Sequence, residues 1–501
     1  MIKQQLILII KTLLEKNELD ENISFLEYGG DSLFYARLQI EIKKIFGIKI
    51  PIKTLFDNST ILKLNLILER ESNKLSVSDL QKTYLFGRKK EMLLGTNSSK
   101  GYFSFKTKKL NYVKFEQAIQ KLINNQEMLR CNFFDDEYLV FSEDIKYCLD
   151  FLDVSKLSTE EKDKEISGKI ADLLNVEFDI TNKQLINFLI IKLNENENIV
   201  FVVHDALVAD GRSHQIIIDE LENHYYGNKV ENHYKFSEYL DYLEKNKETN
   251  RENTKLNEVI EEFEGYDLKP DLKRCQRPDK ISNPLVKVIS RYISKKLYKE
   301  VCNYCKKNGI TQFSFFLTLF GKSIGRYSNN SKYLMNIPVS NRPLDIAGIE
   351  RLVGPCSDFI LFNFDNNTKA GIVEELKANQ EKLFNIREKS ENLSGLEILR
   401  SLKNYRREME VAPVVFTSTV ENINVDERKF IKDISLSHTS QIWLEGIINN
   451  SGEGIKFSIS YVDELFNINL IEDIADSFMY FLEDTVNNHV LLTRNNMLPV
   501  L

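Results

Sequence analysis

The stretch Phe201-Val-Val-His-Asp205-Ala-Leu-Val-Ala-Asp210-Gly-Arg-Ser213 decides how the rest of the chain is read. Its first three residues are apolar and predict a buried strand that runs into a polar turn. The turn carries Asp205, Asp210 and Ser213. After it, Ile216, Ile217, Leu221 and Tyr225 recur at helical spacing. A strand, a loop with two carboxylates and a hydroxyl, then a helix holds polar groups at the edge of a cleft. The same Asp and Gly residues also serve as plain turn and cap residues in many such loops. Spacing alone therefore leaves both readings open.

Working outward, the chain has 501 residues, room for about three domains at ~150 residues each. A hydrophobic content of 42% and a charged content of 28% are those of an ordinary globular protein. The net charge of −7 argues against nucleic acid as a main partner. Six cysteines, at 131, 148, 275, 302, 305 and 356, are scattered, as free thiols in a reducing compartment would be. Cys302-Asn-Tyr-Cys305 is a lone pair one helical turn apart, and no metal site is expected. The opening MIKQQLILIIKTLLEK is interrupted by Lys11, so it reads as an amphipathic helix and not a signal peptide. No run of 18 apolar residues exists, so neither a transmembrane helix nor a membrane partner is expected, and the expected location is cytoplasmic.

The loop matches the pattern DxxxxDxxS through Asp205, Asp210 and Ser213. In this it resembles the heterocyclization domains of nonribosomal peptide synthetases. Ordinary condensation domains carry HHxxxDG in the same loop. Here Asp205 and Ala206 occupy the two histidine positions, and His204 stands one place too early. The resemblance continues at Gln81, Tyr84 and Gly87-Arg88, at Pro413-Val-Val-Phe-Thr417-Ser418, and at Ser440-Gln441-Ile-Trp443-Leu-Glu445. It thins elsewhere. Gln126 to Arg130 keeps Met-Leu-Arg but lacks the family's His-Pro, and Gly354-Pro355-Cys356-Ser357 stands where the family has GDFT. Tyr461-Val-Asp463 is a poor match to a late Trp-Asp motif.

The first 72 residues read as a separate helical unit. In Phe25-Leu-Glu-Tyr-Gly29-Gly30-Asp31-Ser32-Leu33 the paired glycines allow a tight turn, and Asp31 or Ser32 caps the helix that follows. This core, with Phe46-Gly-Ile-Lys-Ile-Pro51 and Leu55-Phe-Asp-Asn58, resembles a peptidyl carrier domain. The resemblance implies a covalent 4′-phosphopantetheine arm on Ser32. A phosphodiester there would sit against the free N–H groups and positive end of the helix.

The fold expected is α+β: a four-helix carrier domain over 1–72, then two chloramphenicol-acetyltransferase-like α/β lobes forming a V-shaped pseudo-dimer, over 77–265 and 266–501. Glu71 to Ser76 is expected to be a linker, and the charge-rich residues 248–284 a solvated surface helix and a crossing segment.

The function implied is an enzyme of nonribosomal peptide, and hence secondary-metabolite or siderophore, synthesis. A carrier-tethered acyl donor is condensed with a carrier-bound Cys, Ser or Thr, then cyclodehydrated to a thiazoline or oxazoline. The family's proton-transfer roles map onto Thr417 and Glu445, the second being Asp in the family. Glu sets the carboxylate one methylene further out, and a shift of about 1 Å can cost on the order of 100-fold. Asp205, Asp210, Ser213, Arg342 and Gln441 are expected to frame the tunnel, with Asp210 paired to Arg342. Implied partners are an adenylation domain loading the carrier in trans, a downstream acceptor carrier and a phosphopantetheinyl transferase. Two alternatives are a domain that forms the amide without the ring, and a non-catalytic platform for docking carriers.

Overall fold

The computed structural model describes residues 2–72, 74–89, 92–94, 98–134, 136–143, 147–174, 176–181, 184–249, 253–282, 284–390, 393–420, 428–439, 441–451 and 454–487. Ser440 of the quoted motif and Asn73 of the expected linker lie outside them. Contacts divide the chain into two compact units, residues 1–76 with 132–142, and residues 77–131 with 143–501.

The first unit contains four helices, Ile2–Leu14, Ser32–Phe46, Ile52–Asp57 and Ile61–Ser72. Leu6, Ile10, Phe34, Leu38, Ile42, Leu55, Leu64 and Leu68 close a core of their own. The stretch expected to be a linker, Glu71 to Ser76, carries regular structure. The helix runs on to Ser72, and Leu75-Ser76 pairs antiparallel with Leu139 and Tyr138. An edge strand's unpaired N–H and C=O groups recruit such a segment.

The second unit holds two sheets. One has five strands in the order Ile431–His438, Lys100–Thr107, Glu197–Asp205, Ile186–Asn194 and Cys148–Asp153. The other has six, in the order Ser357–Asp365, Lys332–Ser340, Val414–Ser418, Leu444–Ser451, Gly454–Val462 and Val286–Ser294. The strand at 431–438 comes from the second half of the sequence but completes the sheet of the first, pairing with Lys100–Lys106.

The six-stranded sheet is buried on one side by helices Gln312–Tyr327 and Ile468–Val486. Alternation along its strands separates two faces. Phe416 packs on Phe320 with ring centroids 5.3 Å apart, and a Cβ on Gly446 would meet the Phe320 ring at 2.5 Å. The neighbours Val415, Thr417 and Glu445 consequently point the other way, into a cavity. The charge-rich region 248–284 is more than surface. Val259, Phe263, Leu268 and Leu272 are buried, the first three in a cluster with Ile398 and Leu402. Charge on one stripe of a helix leaves the other free to bury apolar side chains.

Candidate active site

The cavity has a volume of about 450 Å³ and takes its walls from both sheets of the second unit. Its floor is a row across three adjacent strands. Val415 is in register with Asn336 on one side and with Glu445 on the other. Residues in register present their side chains to the same face, so Asn336, Val415 and Glu445 look into the cavity together. Thr417 lies two residues beyond Val415 on the same face. Its Oγ1 donates to Glu445 Oε1 at 2.6 Å. Thr417 is opposite Ile447, so this contact is a diagonal one, and the longer Glu side chain reaches across it. Glu445 is only 7% exposed. Burial pushes its carboxyl up to about 7, with the Thr417 hydrogen bond opposing the rise.

Asn336 is 9% exposed, and its side-chain Oδ1 meets no donor among the described residues. Gln441 lines the cavity at the turn before the Glu445 strand. Its φ of 73° is a strained backbone conformation for a residue with a side chain.

The loop at 205–213 forms a scaffold. Asp210 caps the helix Gly211–Tyr226 in a reciprocal box with Ser213. Arg342 donates to Asp210 Oδ2 at 2.8 Å and Oδ1 at 3.0 Å. Ser213 Oγ donates to Asp210 Oδ1 at 2.7 Å, and Ser357 Oγ and the Cys356 N–H reach Oδ2 at 3.0 and 3.2 Å. Burial alone would raise this carboxyl. The Arg342 guanidinium and the ring of donors hold it down at about 2. Arg342 also donates to the Leu352 carbonyl at 3.0 Å. The drifted segment 354–357 thus still feeds two donors into Asp210, although Pro355 has no N–H to give.

Asp205 is fully buried and answered by Arg88, whose Nη2 lies 3.0 and 3.1 Å from its two oxygens. The Leu207 N–H adds a third contact at 3.0 Å. Arg88 was visible in the sequence as part of Gly87-Arg88, but nothing local names its partner 117 residues away.

His204 and His214 are a further pair that spacing did not suggest. His204 Nδ1 lies 2.9 Å from the Asp205 carbonyl and must donate to it. Its Nε2 therefore accepts from His214 Nε2 at 2.8 Å, and His214 Nδ1 accepts from Ser435 Oγ at 2.8 Å. Burial lowers both pKa values, which keeps the pair neutral. A Cβ on Gly101 would meet His204 Nε2 at 2.3 Å, so this close approach needs glycine there. The chain of hydrogen bonds joins the central strand, the helix and the strand that crosses from the second half.

In the first unit, Asp31 caps the helix Ser32–Phe46 by accepting from the Phe34 N–H at 2.8 Å. Ser32 is the first residue of that helix and is exposed. Gly29 has φ 92°, and a Cβ on Gly30 would meet the Phe25 carbonyl oxygen at 2.8 Å. The turn thus needs both glycines and leaves the Ser32 hydroxyl accessible beside free N–H groups. These residues fit a phosphodiester attachment.

Comparison with known proteins accords with both parts. Residues 71–498 match the family model described as the condensation domain. The chain belongs to that family. Residues 4–64 match the phosphopantetheine attachment site family, so the condensation domain is preceded by a domain that carries the covalent 4′-phosphopantetheine arm. Among curated relatives, bacitracin synthase 1 of Bacillus licheniformis is 20% identical over 94% of this chain and 10% of its own length. Pyochelin synthetase PchE of Pseudomonas aeruginosa is 22% identical over 81% of this chain and 29% of its own. The chain thus spans about a tenth of the first relative and under a third of the second. Among solved structures, the EpoB cyclization-docking bidomain from Sorangium cellulosum has a TM-score of 0.72 at 16% identity, over 97% of this chain and 98% of that one. The second unit has the two-lobed, chloramphenicol-acetyltransferase-like fold of condensation domains. No helix among the described residues is long and apolar enough to cross a membrane, and no cluster there could hold a metal ion.

Ala206, which the resemblance sets at the position of the condensation-type histidine, lines the cavity. His204 also lines it, but both its ring nitrogens are engaged, one by a carbonyl and one by His214.

Proposed function

We propose that this chain joins a carrier-tethered acyl donor to a carrier-bound Cys, Ser or Thr and closes the product to a thiazoline or oxazoline. The observation that carries this reading is the Thr417–Glu445 contact of 2.6 Å, with the carboxyl pushed up to about 7 in a cavity where Ala206 replaces the condensation-type histidine. A group that titrates near neutrality both accepts and returns a proton.

The steps balance as follows. The acceptor amine attacks the donor thioester: a C–N bond forms, the C–S bond breaks, and the amine proton leaves with the thiol. The acceptor side chain then attacks the new amide carbon. Glu445 takes its proton and passes it to the carbonyl oxygen. The amide N–H proton next travels through Glu445 to the adduct hydroxyl, which leaves as water while the C=N bond forms. Thr417 fixes the carboxyl by donating to Oε1. Asn336, whose side-chain Oδ1 meets no donor among the described residues, stands in the same row to orient the substrate amide.

The arm on Ser32 supplies a thiol on a flexible tether; the chain's own contribution is the capped, exposed helix start that presents it. This reading implies an adenylation domain that loads the carrier, a phosphopantetheinyl transferase and an acceptor carrier as partners. Replacing Ser32→Ala is expected to abolish the mass increment of one arm after incubation with coenzyme A and a phosphopantetheinyl transferase. Full loading of the variant would place the arm elsewhere.

The function itself is read from the intact mass of the acceptor-bound product. Ring closure appears as one further loss of water beyond amide formation. Gly354-Pro355, which resembles ordinary condensation domains, favours a second reading in which the chain stops at the amide. An amide persisting without that loss of water would establish it.

A further inference from the structure

Among the described residues the cavity holds one carboxylate, Asp358, that neither takes part in the chemistry above nor is answered by a side chain. Asp358 is the second residue of the edge strand Ser357–Asp365 of the six-stranded sheet and lines the cavity wall. Other cavity-lining carboxylates are answered. Asp210 is held by Arg342, Glu410 by Lys269 at 3.0 Å and Arg274 at 3.4 Å, and Glu445 by Thr417. Asp358 has only backbone donors: the Phe359 N–H at 2.8 Å to Oδ1, and the Gly395 N–H at 3.1 Å to Oδ1 and 3.4 Å to Oδ2. Among the described residues no cation forms an ion pair with it. Burial pushes its carboxyl up to about 6 against the Phe359 and Gly395 N–H groups, with the carboxylates of Glu397 and Asp79 adding to the rise. Lys403 lines the cavity too, but it is eight residues along the helix from Gly395, about 12 Å away.

The cavity wall that includes Asp358 has a large apolar share. Leu396 and Leu399 line the cavity from one face of the helix Gly395–Arg406, joined by Phe359, Leu80 and Met409. A carboxylate in a partly apolar wall, met by two backbone N–H groups, one of them at a helix start, and by no cationic side chain, has room to accept a cation.

Its position says which substrate brings that cation. Asp358 lies on a strand two removed from that of Thr417 and three removed from that of Glu445. With strands about 4.8 Å apart, its backbone lies on the order of 15 Å from that of Glu445. A Cys, Ser or Thr acceptor has one amine, and that amine reacts at the Thr417–Glu445 centre. A second cation this far away belongs to the donor. Resting on the function proposed above, we infer that Asp358 is a binding site for an ammonium group at the far end of the donor acyl chain, with the apolar wall enclosing the chain between.

The test uses the intact protein and two pantetheine amides of matched length, one of aminooctanoic acid and one of nonanoic acid. Calorimetry is expected to show the ammonium probe binding at least about 10-fold tighter than the methyl probe. Asp358→Asn keeps an acceptor for the Gly395 N–H and removes the charge. It is expected to bring the two probes within about twofold of each other, while affinity for the methyl probe stays unchanged. Equal binding of both probes to the unsubstituted protein would overturn the inference, and that comparison needs no variant to fold. So would a preference that survives in Asp358→Asn. Because binding is read without turnover, a chain that forms the amide but no ring would still show the preference. A chain that closes rings yet binds both probes alike would refute this site alone.

Discussion

Glu445→Gln is expected to stop the loss of water and spare the amide. General acid–base catalysis by one positioned group contributes about 10²–10⁴-fold, and the ring-closing step should fall by that factor. Thr417→Ala should act on the same step by freeing the carboxyl it holds at 2.6 Å. Intact-mass time courses of amide and ring separate the two stages, and equal loss of both would remove the role assignment. The wild-type rate of ring closure should show a pH limb near 7, absent from Glu445→Gln.

The same residue makes a prediction of opposite sign for stability. Its folded pKa, about 7, is raised above the ~4.3 of an unfolded Glu. The folded state therefore holds a proton that the unfolded state has lost, and stability falls as pH rises from about 4.3 to 7. Glu445→Gln removes that penalty. At pH 8 the variant should melt at or above the temperature of the parent while failing to close rings. A residue present only for packing would not combine the two.

The second large effect is expected at Arg342. Its side chain is 4% exposed and that of Asp210 6%. Removing one partner of such a pair leaves a buried charge and costs about 3–5 kcal/mol. Arg342→Met should lower stability to urea by that amount. Adding Asp210→Asn should restore a good part of it, because the stranded charge is gone and Asn keeps acceptors for Ser213 and Ser357. A double variant as unstable as the sum of the singles would deny the coupling. The pH dependence is separate. The Asp210 pKa is lowered to about 2 from an unfolded ~3.9, so its stabilisation is fully present above about pH 4 and is lost as pH falls through 2. Neutral and mildly acidic media should leave this contact intact.

Much of this protein was legible in the residue order, where the signal is local. Gly29-Gly30-Asp31-Ser32 is a capped turn whichever way the rest folds. Asp210 and Ser213 are three residues apart and form a reciprocal helix cap. Thr417 and Glu445 were found only through resemblance, since a lone Thr and a lone Glu 28 residues apart carry no spacing signal. The stretch at 71–76 and the charge-rich residues 248–284 were misjudged because their partners, Leu139 and the helix Gly395–Arg406, lie far along the chain.

What the sequence determined by itself is the set of chemical groups and their local caps: a serine at a capped helix start, a DxxxxDxxS loop, and the Thr and Glu that the resemblance singles out. What only the tertiary structure decided is which groups meet and how they titrate. Strand register places Asn336, Val415 and Glu445 in one row, and register is fixed by pairings between distant segments. Burial between two sheets pushes Glu445 up to about 7, while Arg342, 132 residues from Asp210, holds that carboxyl down at about 2. The two carboxyls differ through desolvation and counter-charge, and both are properties of the folded surroundings that residue identity does not contain.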